Sequence, residues 1–260
     1  GPFISGKSGA VGCHNPKNVR APSVELMQHW QRLAKGHVCL VTVAAEACVD
    51  GGGGGATKFI PWCVENGIAV SLGHQLASME EIDLAAGMGA TGMTHLGNGL
   101  PNMVHRHKNP IWKGLSDDRL TVMMITDGNH LPKELIRVMT RAKGWARVVV
   151  TSDCAPVAGL PNGEYDCFGT RVVVEGNNVR SADLPCLAGS GALMIHCMNH
   201  FLRVHGPDTD GLAEGIRMVG WKNALSLIGL SPDAWGDRGG SVGRLARNPL
   251  GEFVYVEALL

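Results

Sequence analysis

Two histidines end short apolar runs in the middle of the chain: IAVSLGH closes on His74 and GATGMTH closes on His95. Between them, from Gln75 to Gly87, lies a helix-like stretch rich in Glu, Ala and Met. If the apolar runs are strands and the stretch a crossover helix, the strands are parallel neighbours. Both imidazoles then sit just past the C-terminal ends of adjacent strands, roughly 5 Å apart in strand spacing. Two imidazoles meeting at such an edge form the donor chemistry of a metal site. Two more strand-like runs end in polar side chains, LTVMMITDGNH at His130 and ARVVVTSD at Asp153. Three imidazoles and a carboxylate on one edge suit metal-assisted hydrolysis. The metal lowers the pKa of a bound water toward neutrality. The carboxylate takes the proton and returns it to the leaving group, and a further histidine donates to the developing oxyanion. Each residue also has a structural alternative: Asp153 as the N-cap of a following element, His130 as the cap of a helix from Leu131.

The elements that must position these residues alternate. Apolar, β-branched runs predict strands at 38–44, 68–72, 90–94, 120–126 and 147–151. Helical spacing and breaker residues predict helices at 24–35, 58–67, 131–144, 188–204 and 211–230, the last broken near Gly220. Strands apolar on both faces, separated by helices, point to a parallel sheet. Residues 101–114 read as a long basic loop, and 51–55 as a flexible glycine connector. Residues 159–181 read as a β-hairpin excursion with turns at Asn162-Gly163 and Asn177-Asn178. A final strand is expected at 252–257.

Bulk properties remove several functions. Lys plus Arg and Asp plus Glu both number 23 in 260 residues, so no global field argues for nucleic acid or an anionic membrane. No apolar run approaches the ~20 residues that span a bilayer. The N-terminus lacks signal-peptide form. The eight cysteines form no C-x-x-C pair and read as the reduced thiols of a cytoplasmic protein.

The order of several motifs resembles the N-acetylglucosamine-6-phosphate deacetylases of the amidohydrolase superfamily. The matching stretches are GPFIS and GCHNP within 1–16, VTVAAE (41–46), VSLGH (70–74), GATGMTHLGNG (89–99), His105-Arg106, ITDGNH (125–130), VTSDCAPVAGLPNGEY (150–165) and LAGS (187–190). The resemblance implies an α/β fold, a (β/α)8 TIM barrel of the amidohydrolase type. It also implies removal of acetate from an N-acetylated amino-sugar phosphate. In the family a metal-binding glutamate immediately precedes the Gly-Pro that starts this sequence, so the barrel is expected to be incomplete here, without its first strands. Residues 1–240 would be the partial hydrolase barrel and 241–260 the C-terminal segment of a small β-sandwich domain. Carried over by position, His74 and His95 would bind a divalent metal, zinc first, with iron, manganese or cobalt as alternatives. Asp153 would be the general acid/base, and His130 would contact the acetyl carbonyl or the sugar. Asn98 and Gly99 would offer amides to the phosphate, Arg106 would bind phosphate across a homodimer interface, and His14 would contact the sugar. Three departures are visible: Gly99 replaces an alanine, His107-Lys108-Asn109 follow His105-Arg106 where the family has Glu-Pro-Gly, and the tail lacks a Gly-x-x-Ala-Asp motif. Two other readings stay open, a different amidohydrolase or a truncated inactive homologue that only binds ligand.

Overall fold

The computed structural model describes residues 2–49, 56–206, 211–233 and 244–257. Its centre is a five-stranded parallel sheet in chain order: β1 Leu40–Val43, β2 Ala69–Leu72, β3 Gly92–Met93, β4 Thr121–Ile125 and β5 Val148–Thr151. The register runs Leu72 beside Met93, and Ile125 beside Thr151. Each sequence-expected strand is present but shorter, because the flanking apolar residues turn into the connections. The connecting helices are α1 Val24–Leu33, α2 Ala45–Val49, α3 Phe59–Glu65, α4 Met79–Gly87, α5 Pro110–Ser116 and α6 Lys133–Lys143.

Local chemistry sets these boundaries. Ser78 and Glu81 form a reciprocal capping box that starts α4. Ile82, Ala85 and Ala86 are buried on its inner face. Val70, Leu72, Val122, Met124, Val148 and Val150 join them in one continuous core. Removing this apolar surface from water supplies the drive for closure, at about 25 cal/mol per Å². Phe3 adds to the core by packing against Trp30 and Phe59. Its carbonyl accepts the Ala44 N–H, which pins the N-terminal segment beside β1.

Beyond β5 the chain leaves the parallel sheet for an antiparallel one: β6 Gly163–Cys167, β7 Thr170–Glu175, β8 Asn178–Ser181 and β9 Leu187–Ser190. Then follow α7 Met194–His205, α8 Leu212–Arg217, a π-helical turn Met218–Lys222, α9 Asn223–Leu227, and an antiparallel pair, β10 Arg244–Arg247 with β11 Phe253–Glu257. Asn199 ties α7 to β11 by exchanging hydrogen bonds with the Phe253 backbone.

Several sequence expectations need correction. The basic loop expected at 101–114 gives way at Pro110 to α5, whose start is capped by the Asn109 side chain on Ile111 and Trp112 N–H. Its C-terminal end is held by the buried Lys143, whose Nζ donates to the carbonyls of Gly114 and Asp117. The strand expected at 38–44 ends at Val43, and Ala45 begins a helix. The helix expected from 188 starts at Met194, because Leu187–Ser190 pairs with β8. The excursion is four strands, and its first turn is Phe168-Gly169; Asn162-Gly163 instead leads into β6. Its second turn is Gly176-Asn177, one residue before the expected position. The break near Gly220 is a π-helical turn inside a continuing helix. The glycine connector at 51–55 lies outside the described residues.

Candidate active site

Four strands of the parallel sheet end the same way. The second residue past β2 is His74, past β3 His95, past β4 Asp127 and past β5 Asp153. Three of these adopt a left-handed backbone: His74 at φ 48°, His95 at φ 32° and Asp153 at φ 51°. Only two other described non-glycine residues have positive φ, Lys35 and Phe168, both at turns. A non-glycine residue in this region costs on the order of 1–3 kcal/mol and persists where surrounding structure over-determines it. Here that structure is visible around His74: its carbonyl accepts the Ser5 N–H at 2.9 Å and its Nδ1 meets the Ala10 carbonyl at 2.8 Å.

A cavity of about 740 Å³ opens at this edge and is lined by His14, His74, His95, Asn98, Gly99, His130 and Asp153. The rings of His14, His74 and His95 meet edge to face in a row, each neighbouring pair with centroids 4.7 Å apart. Burial lowers the His74 pKa to about 3, helped by His95 and His14. Burial also pushes His95 down, offset only in part by the Asp153 carboxylate. His14 shifts the same way, again chiefly through burial. These imidazoles are therefore neutral at physiological pH, with lone pairs to offer. A carbonyl can only accept, so His74 Nδ1 is the protonated nitrogen and Nε2 carries the lone pair. Such a carbonyl partner is the support that orients metal-ligating histidines. His95 is 7% exposed, and its Nδ1 is buried with no hydrogen-bond partner among the described residues. An orphaned buried nitrogen costs free energy unless something else meets it. The donor types thus fit a divalent cation held by His74 and His95. No group of three His, Cys, Asp or Glu side chains among the described residues is arranged to hold a metal by itself.

On the other side of the cavity His130 Nδ1 is 2.8 Å from Asp127 Oδ2, with the two side chains 6% and 1% exposed. Burial would raise the Asp127 pKa, but hydrogen bonds from His130 and Ser190 outweigh it and hold the carboxyl well below the usual carboxylate range. His130 does not cap α6, which begins after Pro132 with no side-chain cap. Asp153 does not cap a helix either: Cys154 next to it bridges to Ser190.

Gly99 explains one departure in the sequence. It has φ 61°, and a Cβ there would lie 3.0 Å from the His74 Cα, Cγ and Nδ1. The glycine therefore lets the 98–99 loop press against His74. Arg106 is the expected site residue that this chain does not bring to the cavity: its side chain is exposed, while its carbonyl accepts the Trp112 indole N–H. Reading the sequence alone missed Asp127 and Ser190. The signal was present for Asp127, which sits at the same offset past its strand as His74, His95 and Asp153.

Parallel strands whose C-terminal ends carry the polar residues of one cavity are the arrangement in which α/β barrels place their active sites, here on five strands. No family model matches the chain. Among curated proteins it is 30% identical over 242 residues to the N-acetylglucosamine-6-phosphate deacetylase of Bacillus subtilis (strain 168), covering 93% of this chain and 57% of that protein. With the Homo sapiens protein of the same name it is 32% identical over 241 residues, covering 88% and 55%. A solved structure of a mutant N-acetyl-D-glucosamine-6-phosphate deacetylase from Mycobacterium smegmatis, in complex with N-acetyl-D-glucosamine-6-phosphate, superposes with a TM-score of 0.79 at 28% identity, covering 88% of this chain and 58% of that one. These relatives are named N-acetylglucosamine-6-phosphate deacetylases, and the chain spans about half the length of the curated relatives it matches.

Proposed function

We propose that this chain carries the metal-binding and acid–base parts of a deacetylase acting on an N-acetylated amino-sugar phosphate. The observation that carries the reading is the shared strain: His74, His95 and Asp153 hold left-handed backbones past the ends of β2, β3 and β5 on one sheet edge and line one cavity. His74 and His95 would hold a divalent cation, with zinc the leading choice for imidazole donors. Such a cation, when bound, polarises a carbonyl and lowers the pKa of water. Asp153 lies at the cavity edge with its backbone fixed behind it by β5. As a carboxylate it removes a proton from the attacking water; once protonated it passes that proton to the departing amine. His130 meets a sugar hydroxyl through its other ring nitrogen, or, when doubly protonated, the acetyl carbonyl. His14 faces the sugar, and the backbone of Asn98 and Gly99 meets the phosphate.

Arg106 is exposed and does not line this cavity, which agrees with a homodimer in which it serves the neighbouring site; its guanidinium suits a phosphate. Residues 1–240 act as the barrel part and 241–260 as part of a small second domain. No described helix is long and apolar enough to cross a membrane. Free thiols throughout favour a cytoplasmic setting.

The test is acetate release from N-acetylglucosamine 6-phosphate by the purified chain loaded with Zn2+. Release that a chelator abolishes and zinc restores supports the reading. Release from an unphosphorylated N-acetyl sugar at the same rate would overturn the phosphate part. No release from either, with zinc bound, would overturn the deacetylase assignment for this chain.

A further inference from the structure

The chemistry just described leaves two buried polar residues unused. Asp127 is an ionised carboxylate 1% exposed, and Ser190 is fully buried. Asp127 accepts four hydrogen bonds. Its Oδ1 takes the backbone N–H of Asn129 and of His130, both at 2.9 Å. Its Oδ2 takes the His130 ring at 2.8 Å and the Ser190 hydroxyl at 2.7 Å. Ser190 also reaches the next strand end: its N–H donates to the Asp153 carbonyl at 2.8 Å, and its own carbonyl accepts the Ala155 N–H at 2.7 Å. This approach forbids a side chain at the preceding position, since a Cβ on Gly189 would lie 2.9 Å from the Asp153 carbonyl oxygen.

We propose that Asp127 and Ser190 are positioning residues. Asp127 fixes His130 with its proton on Nδ1 and Nε2 toward the cavity, and Ser190 ties that carboxylate to the backbone of Asp153. The tautomer follows from bonding capacity: an ionised carboxylate only accepts, so Nδ1 must donate. Neutral His130 therefore presents an acceptor at Nε2, and donates there only when doubly protonated. The serine makes the two strand ends move as one, so the acid–base group and the histidine keep a fixed relation. How His130 is used rests on the deacetylase reading; how it is held does not.

The test is long-range proton–nitrogen NMR on the chain with ¹⁵N-histidine, read alongside kinetics. At a pH where the ring carries one proton, wild type should show His130 with Nδ1 protonated and Nε2 bare. In Asp127→Asn the amide oxygen stays with the two backbone N–H groups. Its NH2 then faces Nδ1, and the proton should move to Nε2. That wrong tautomer should lower kcat by on the order of 10²-fold or more with KM little changed, as in the serine-protease triad where the analogous change costs about 10⁴. Ser190→Ala should keep the tautomer and lower kcat by about tenfold. An Nε2-protonated wild type, or a folded Asp127→Asn with its tautomer unchanged, would overturn the Asp127 role. If Asp127→Asn fails to fold, the wild-type tautomer still decides that role. An unaltered kcat in Ser190→Ala would overturn the Ser190 role. A chain that shows the expected tautomers but releases no acetate supports this inference and removes the deacetylase reading.

Discussion

The two sides of the cavity are built on opposite plans. At the ends of β2 and β3, His74 and His95 are desolvated, neutral and stacked beside His14, and His95 keeps a buried nitrogen without a partner. At the ends of β4 and β5, His130 is bound to an ionised aspartate whose oxygens all have donors. The first side leaves one buried nitrogen without a partner; on the second the Asp127 carboxylate is fully bonded. A protein tolerates an orphaned polar atom where it has another use. The difference is what supports the proposal of the β2–β3 side for an external cation and the β4–β5 side for proton handling.

The largest expected effect separates the two roles. Asp153→Asn keeps the side-chain shape and removes the base. Turnover should fall by on the order of 10²–10⁴-fold while substrate and zinc still bind. Near wild-type turnover in a folded variant would take Asp153 out of the mechanism and dissolve the contrast.

Gly99→Ala probes the packing of the β2–β3 side alone. The added methyl meets His74 at 3.0 Å and the backbone sits at φ 61°, so either His74 or the loop must shift. A left-handed alanine costs roughly 1–2 kcal/mol, and zinc affinity should drop by about tenfold, within the range for disturbed ligand support. His130 NMR signals should stay in place. A change confined to His130 would reverse the comparison.

Acid should weaken the two sides in sequence. His74 has its folded pKa lowered to about 3 by burial, so the unfolded chain takes up a proton that the folded chain refuses. Stability of the chelator-treated protein is therefore full above the unfolded pKa near 6.5 and declines as pH falls from there toward 3. His14 and His95 act in the same direction. Asp127 also has a lowered pKa, but as a carboxylate its contribution is present above about 3.9 and is lost only below that. Denaturant unfolding at a series of pH values should show the decline already between pH 6 and 5. A flat profile down to pH 4 would mean the imidazoles are not held neutral by burial.

The smallest effect is expected outside the cavity. Arg106 is exposed, so Arg106→Ala should leave thermal stability within about 0.5 kcal/mol of wild type. Binding of a phosphorylated sugar should weaken by roughly 1.5–3 kcal/mol, and that of its unphosphorylated analogue should not. Equal weakening of both would remove the phosphate role.

The sequence showed the β2–β3 end of the cavity more clearly than the β4–β5 end, for a physical reason. His74 and His95 follow apolar, β-branched runs, and the alternation with helices places them on one edge without further information. The same logic found Asp153. It singled out His130, the last residue of the run LTVMMITDGNH, and passed over Asp127 three residues before it. The partner that makes Asp127 matter, Ser190, lies 63 positions away and reaches it by tertiary packing. The short helix α5 was hidden by Pro110 and by basic neighbours, and its docking depends on Lys143 from a distant helix. β9 was hidden because LAGS pairs as a strand only when β8 lies beside it.

Zinc titration by calorimetry tests the central contrast most directly. The account predicts one equivalent bound by the wild-type chain, loss of that binding in His95→Ala, and affinity unchanged within a few-fold in Ser190→Ala. Equal loss in both variants, or unaltered binding in His95→Ala, would contradict it.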